Sequence, residues 1–168
     1  VSSDFKAGHS RYGVVTLHRP SNVDDREVFV RIAQALRDIA ERLPLAFPVH
    51  PRTRATAEKF GIDFGPKVAL LPPLAYMEFL NLWKDAAVVL TDSGGLQEET
   101  TALGVPCVTL RENTERPVTV TDGTNVLVGS DPSLIRDAVE RILRGDGKSG
   151  RVPHVWDGKA AERTVALL

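Results

Sequence analysis

Cysteine is nearly absent: Cys107 is the single one in 168 residues, so no intramolecular disulfide can form. It lies in an apolar run with no activating base beside it in sequence, the setting of a buried structural thiol and not of a nucleophile. Histidine is also scarce, and His9, His18, His50 and His154 are scattered. Without a cysteine pair, no metal site and no cofactor are expected. Neither sign of charge dominates: 21 Lys and Arg stand against 22 Asp and Glu, a formal net charge of −1. That balance gives no reason to expect nucleic acid or an anionic membrane as partner. No apolar run approaches the ~20 residues that span a bilayer, and the first residues carry no signal-peptide pattern. These absences together suit a reducing cytoplasm. No Gly-x-Gly-x-x-Gly follows the first strand and no Walker A sequence occurs, which argues against a nicotinamide dinucleotide and against P-loop chemistry. The chain opens on Val1 and not on Met, which reads as a processed or excised product.

What is present is the composition of a soluble globular protein, 42% hydrophobic and 26% charged, in a length that suits one domain over residues 1–168. Short β-rich runs alternate with amphipathic helices. Candidate strands are Tyr12–Leu17, Leu45–Val49, Val68–Leu71, Ala86–Leu90, Val105–Leu110 and Asn125–Val128. The clearest helix runs from about Asp25 to Leu43, with Val28, Ile32, Leu36, Ile39 and Leu43 recurring on one face. Shorter helices are expected at Arg54–Phe60, Tyr76–Trp83, Leu96–Leu103, Pro132–Leu143 and Gly158–Leu168. Strands that are almost continuously apolar and separated by helices imply a parallel sheet covered on both faces. Right-handed crossovers then favour an α/β fold with a Rossmann-like doubly wound parallel sheet, order 3-2-1-4-5-6. In that order the ligand crevice opens above strands 1 and 4.

The loop after strand 4 carries the sharpest signal. Thr91-Asp92-Ser93-Gly94-Gly95 turns from a buried strand into a helix opening at about Leu96. Free backbone N–H groups and the positive end of the helix dipole converge there, and glycine allows an anion to approach closely. A diphosphate cradle follows, with Glu98 or Glu99 one turn on to accept hydrogen bonds from sugar hydroxyls. A plain Gly-rich turn with acids in the first helical turns explains the tripeptide equally well. The loop after strand 1, Leu17-His18-Arg19-Pro20-Ser21-Asn22, meets it at the switch point. There His18 and Arg19 suit a proton donor and a phosphate contact, where a lone His-Arg would more readily be a loop histidine and a surface ion pair. One arginine of Arg111-Glu112-Asn113-Thr114-Glu115-Arg116-Pro117 could complete a clamp or belong to an ordinary salt-bridged loop. Tyr76 and Phe79 could wall a base, although at helical spacing they read as core. The prolines of Pro48-Val49-His50-Pro51 read as no more than a strand stop.

In order along the chain, Thr16-Leu17-His18-Arg19-Pro20-Ser21-Asn22-Val23-Asp24, Pro48-Val49-His50-Pro51, Pro73-Leu74-Ala75-Tyr76, Thr91-Asp92-Ser93-Gly94-Gly95-Leu96-Gln97-Glu98-Glu99, Thr114-Glu115-Arg116-Pro117 and Trp156-Asp157-Gly158-Lys159 resemble the C-terminal half of the bacterial UDP-N-acetylglucosamine 2-epimerases. The resemblance covers nearly the whole chain. It implies one half of a GT-B fold, whose N-terminal domain lies outside these residues, and a homodimer for the full-length protein. It further implies that Ser93, Gly94 and Gly95 hold a diphosphate, that Glu99 takes the ribose hydroxyls and that Arg116 takes phosphate or sugar. Leu74, by its backbone, and Phe79 would line the uracil site, with Arg19 and Asp92 as further contacts. His18 would assist UDP departure and return while UDP-GlcNAc and UDP-ManNAc interconvert for cell-surface polysaccharide synthesis. The carboxylates that act at C2 would belong to the N-terminal domain. Ser21 and Val118 depart from the glutamates common in the family. Two other classes of function are a UDP-binding or regulatory module without activity of its own and the donor half of a GT-B glycosyltransferase. Arg19 and Thr114-Glu115-Arg116-Pro117 favour the epimerase over the transferase.

Overall fold

The computed structural model describes residues 1–167. In chain order the elements are α1 (Ser2–Gly8), β1 (Gly13–Thr16), α2 (Pro20–Val23), α3 (Arg26–Ala40), β2 (Leu45–Pro48), α4 (Pro51–Phe60), β3 (Val68–Leu71) and α5 (Tyr76–Trp83). There follow β4 (Val88–Thr91), α6 (Gly94–Leu103), β5 (Cys107–Thr109), α7 (Pro117–Thr121), β6 (Asn125–Leu127), α8 (Pro132–Leu143) and α9 (Ala160–Leu167). The six strands form one sheet in the order β3-β2-β1-β4-β5-β6, and every pairing is parallel. This is the doubly wound, Rossmann-like order expected from the sequence.

Side chains alternate across the strands and so build two cores. Val15, Leu45, Phe47, Val88, Leu90 and Val108 face the helices α3 and α8, meeting Phe29, Ile32, Leu36, Ile135 and Val139. Val14, Ala46 and Val89 face the other way, against Leu82, Trp83 and Leu96 of α5 and α6. Phe29, Phe47 and Trp83 are fully buried, and each such side chain removed from water stabilises the fold by roughly 1.5–3 kcal/mol. Gly13 lies at the crowded start of β1, where an added Cβ would stand 2.7 Å from Leu45 Cδ2.

The structure moves several boundaries for identifiable reasons. Helix α3 begins after Asp25, whose side chain accepts a hydrogen bond from Val28 N–H, as expected of an N-cap. The helix expected from Arg54 starts three residues earlier, at Pro51, because His50 serves as its N-cap and proline suits the first helical position. Pro51 therefore starts a helix as well as stopping a strand. The helix expected from Leu96 starts at Gly94, so both glycines are helical. The short helices α1, α2 and α7 carry too few periodic residues to stand out in sequence. Leu168, the end of the last expected helix, lies outside the described residues.

Registry positions the site. Thr16 pairs with Thr91 across β1 and β4, and their hydroxyls lie 2.9 Å apart. Both strands thus end level, and the loops after them face one another at the switch point.

Candidate functional site

Asp92 is the centre of this junction. It is completely buried, and its carboxylate accepts hydrogen bonds from His18 N–H at 3.1 Å, Arg19 N–H at 2.9 Å and Asn22 Nδ2 at 3.2 Å. Asn22 also donates to Leu110 O at 2.8 Å, tying α2 to the residue that follows β5. Residues 18–22, which run into α2, are therefore folded around a buried carboxylate whose lone pairs are well used, which is what makes burying it tolerable. Asp92 was expected as a further ligand contact; its acceptor sites are occupied within the protein, so it acts as an anchor.

The same carboxylate sets His18. Its Oδ1 is 3.0 Å from His18 Nδ1, and the imidazole is about half exposed while Asp92 is not exposed at all. A carboxylate behind Nδ1 fixes the proton there and leaves Nε2 as the nitrogen available to the crevice. The bond was not legible in sequence, although the two residues follow paired strands.

A cavity of about 340 Å³ opens directly above, with His18, Leu74, Tyr76, Phe79, Ser93 and Glu99 among its lining residues. Its floor is the start of α6. Ser93 is the N-cap and makes no side-chain cap bond, so the first-turn N–H groups of the helix have no partner of that kind. The Ser93 N–H itself is taken by Thr91 Oγ1 at 2.9 Å, which leaves the serine hydroxyl and the N–H groups of Gly94, Gly95 and Leu96 as donors. Neither glycine has a positive φ. A Cβ on Gly95 would meet nothing within 4 Å, and one on Gly94 only Glu115 Oε2 at 3.8 Å. Backbone conformation and protein packing therefore do not require glycine here. Two glycines in a helix disfavour it by roughly 1 kcal/mol each relative to alanine, and what they leave is open space over a helix N-terminus.

The two acids on α6 separate. Glu99 lines the cavity, where Tyr76 Oη donates to its Oε1 at 3.3 Å, and the carboxylate charge raises the Tyr76 phenol above its ordinary value. Glu98 instead pairs with Arg116, Nε to Oε2 at 3.0 Å. Arg111 grips Glu115 through two bonds of 2.8 Å and holds that carboxyl down at about 2. Arg19 stands 4.0 Å from Glu115. Of the expected site residues, His18, Leu74, Phe79, Ser93, Gly95 and Glu99 come together around one cavity. Gly94 faces Glu115, and Arg19 and Arg116 stand in the adjoining ion pairs. His50, read from the sequence as part of a strand stop, also lines the cavity. Among the described residues no group of three or more His, Cys, Asp or Glu is arranged to hold a metal ion. No helix among them is long and apolar enough to cross a membrane.

Comparison with known proteins agrees with this architecture. The family model described as UDP-N-acetylglucosamine 2-epimerase matches residues 2–168. A UDP-N-acetylglucosamine 2-epimerase of Methanococcus maripaludis is 40% identical over 159 residues, 86% of this chain and 43% of its own length. One from Methanocaldococcus jannaschii is 41% identical over 163 residues, 94% of this chain and 44% of its own length. The crystal structure of Methanocaldococcus jannaschii UDP-GlcNAc 2-epimerase in complex with UDP-GlcNAc and UDP superposes with a TM-score of 0.83 at 38% identity, over 99% of this chain and 47% of that one. The chain thus spans under half the length of the relatives it matches.

Proposed function

The chain belongs to the UDP-N-acetylglucosamine 2-epimerase family, and we propose that it is the half of such an enzyme that holds UDP. The observation that carries this reading is a convergence in one crevice. A helix N-terminus free of Cβ atoms, an imidazole backed by a buried carboxylate and an apolar wall ending at Glu99 all meet there. The diphosphate sits on the α6 N-terminus, taken by the Ser93 hydroxyl and the N–H groups of Gly94 and Gly95. Arg116 exchanges Glu98 for phosphate, a charge-assisted bond of the stronger kind. Leu74 and Phe79 wall the uracil, and Glu99 trades the Tyr76 phenol for the ribose hydroxyls.

His18 stabilises UDP as the C1–oxygen bond breaks. In the elimination a proton leaves C2, the C1–oxygen electron pair departs with UDP and a 2-acetamidoglucal remains. Return of UDP to C1 and of a proton to the other face of C2 completes the exchange between UDP-GlcNAc and UDP-ManNAc. Among the described residues Glu99 is the one carboxylate lining the cavity, and the ribose occupies it. The groups that move the C2 proton therefore come from an N-terminal half joined to residues 1–168. The complete protein is, on this reading, a cytoplasmic homodimer supplying cell-surface polysaccharide synthesis.

Titration calorimetry with UDP, dUDP and uridine tests the site. UDP should bind at least about tenfold more tightly than uridine, because hydrogen bonds to charged groups are worth about 1.5–3 kcal/mol each. dUDP should fall between them, and Glu99→Gln should narrow the gap between UDP and dUDP. Equal affinities for UDP and uridine would remove the diphosphate from this crevice.

A further inference from the structure

Beneath the loop that carries Arg116 runs a closed chain of buried amides and hydroxyls. Gln97 and Asn125 are fully buried. Gln97 Oε1 accepts from Thr114 Oγ1 at 2.6 Å and from Asn125 Nδ2 at 3.0 Å, while its Nε2 donates to Ser93 O at 3.2 Å. Thr114 Oγ1 in turn accepts from Arg116 N–H at 2.9 Å. Asn125 Nδ2 also donates to Thr119 Oγ1 at 3.0 Å, and Thr119 Oγ1 donates to Arg116 O at 2.7 Å. Thr109 Oγ1 donates to Asn125 Oδ1 at 2.6 Å, which fixes the orientation of that amide and so the direction of every bond beyond it. Both backbone groups of Arg116 are therefore held by threonines, and both threonines are held by the Gln97–Asn125 pair. The other end of Gln97 rests on Ser93, the cap of the helix that faces the cavity.

We infer that Gln97, backed by Asn125, is a positioning residue that sets Arg116 in register with the α6 N-terminus, so that guanidinium and helix N–H groups address one phosphate group together. The inference rests on the reading that this crevice holds a diphosphate. The amide is suited to the task because a single side chain must accept twice from one side and donate to a carbonyl on the other. Glutamate would place an acceptor against Ser93 O, and methionine would fill the volume without either bond. A buried network whose members are all paired rigidifies the groups it holds.

The test is a double-mutant cycle read by calorimetry on the 168-residue chain, with UDP and uridine as probes. Gln97→Met should weaken UDP binding by about tenfold and leave uridine unchanged, since hydrogen bonds to charged groups carry that much affinity. In combination with Arg116→Ala it should cost little beyond Arg116→Ala alone, because both remove the same contact. Thr114 is only half-buried and provides a gentler probe: Thr114→Val should repeat the UDP-selective loss and Thr114→Ser should restore affinity. If UDP and uridine weaken equally, or if the two losses simply add, Gln97 is a structural residue and the inference fails. Weakening by Arg116→Ala with no effect of Gln97→Met or Thr114→Val overturns the positioning role alone. An Arg116→Ala chain that binds UDP as the unmutated chain does overturns the diphosphate reading as well.

Discussion

Gly95→Ala separates a ligand-driven glycine from a structural one, because its two effects have opposite sign. Gly95 is the second residue of α6, its φ is not positive and a Cβ there would meet no atom within 4 Å. Alanine therefore adds helix propensity and narrows the unfolded ensemble without strain. The gain is about 0.5–1 kcal/mol, with the lower end expected in a first turn that is only partly helical in its bonding. With a urea dependence of about 2 kcal/mol per molar for a domain of this size, the midpoint should rise by roughly 0.3 M. A phosphate on the α6 N-terminus meets the same methyl group. Pushed outward by about 1 Å, it forfeits one hydrogen bond of about 1.5–3 kcal/mol, a tenfold to hundredfold loss in UDP affinity. Urea denaturation followed by fluorescence of Trp83 and Trp156, together with UDP calorimetry, reads both quantities on one preparation. A variant that is stabilised and still binds UDP normally would place the diphosphate elsewhere. One that is destabilised would show that Gly95 has a packing role.

Asp92→Asn should destabilise the fold by about 2–4 kcal/mol in urea, because an amide nitrogen would face the N–H groups of His18 or Arg19 and leave buried donors unpaired. Imidazole nitrogen NMR shifts should show His18 losing its fixed tautomer in that variant; unchanged shifts and an unchanged urea midpoint would mean that Asp92 does not hold the loop. Burial pushes the Cys107 thiol up from 9.0 to about 11, so the folded chain keeps a proton that the unfolded chain releases. Stability is then full below pH 9 and declines towards pH 11, by up to about 1.4 kcal/mol per pH unit. Cys107→Ala should be slightly less stable at neutral pH, with a flatter decline between pH 9 and about 11; an equal slope in both proteins would assign the alkaline loss to other groups.

The sheet was legible because parallel strands buried on both faces leave long apolar runs, and the helices between them dictate right-handed crossovers. Val14, Val15, Leu45, Phe47, Val89 and Leu90 carry that signal, and the observed strand order follows from it. Boundaries were less legible where one residue serves two elements. Gly94 and Gly95 read as loop because glycine disfavours helix, yet they form its first turn. His50 and Pro51 read as a strand stop, yet the ring nitrogen of His50 caps α4 and Pro51 begins it.

The site was legible in its ends and not in its wiring. Topology alone brings His18 and Ser93-Gly94-Gly95 to the switch point, since strand order decides which loops are neighbours. It does not say that Asp92 turns inward to bind the backbone of His18 and Arg19, because Asp next to Ser-Gly-Gly is equally suited to face a ligand. That choice depends on the register of β1 against β4, which sets Thr16 beside Thr91 and leaves Asp92 one residue beyond the last pair. The buried path from Gln97 to Asn125 spans 28 residues of sequence, and both amides fall in patterns already explained by a helix and a strand. Long-range bonds between polar residues leave no periodic trace, so they are invisible to pattern reading however strongly they shape a site. The crevice holds its ligand-facing groups on short loops and helix ends, and it is these untraceable bonds that tie them to the strands behind.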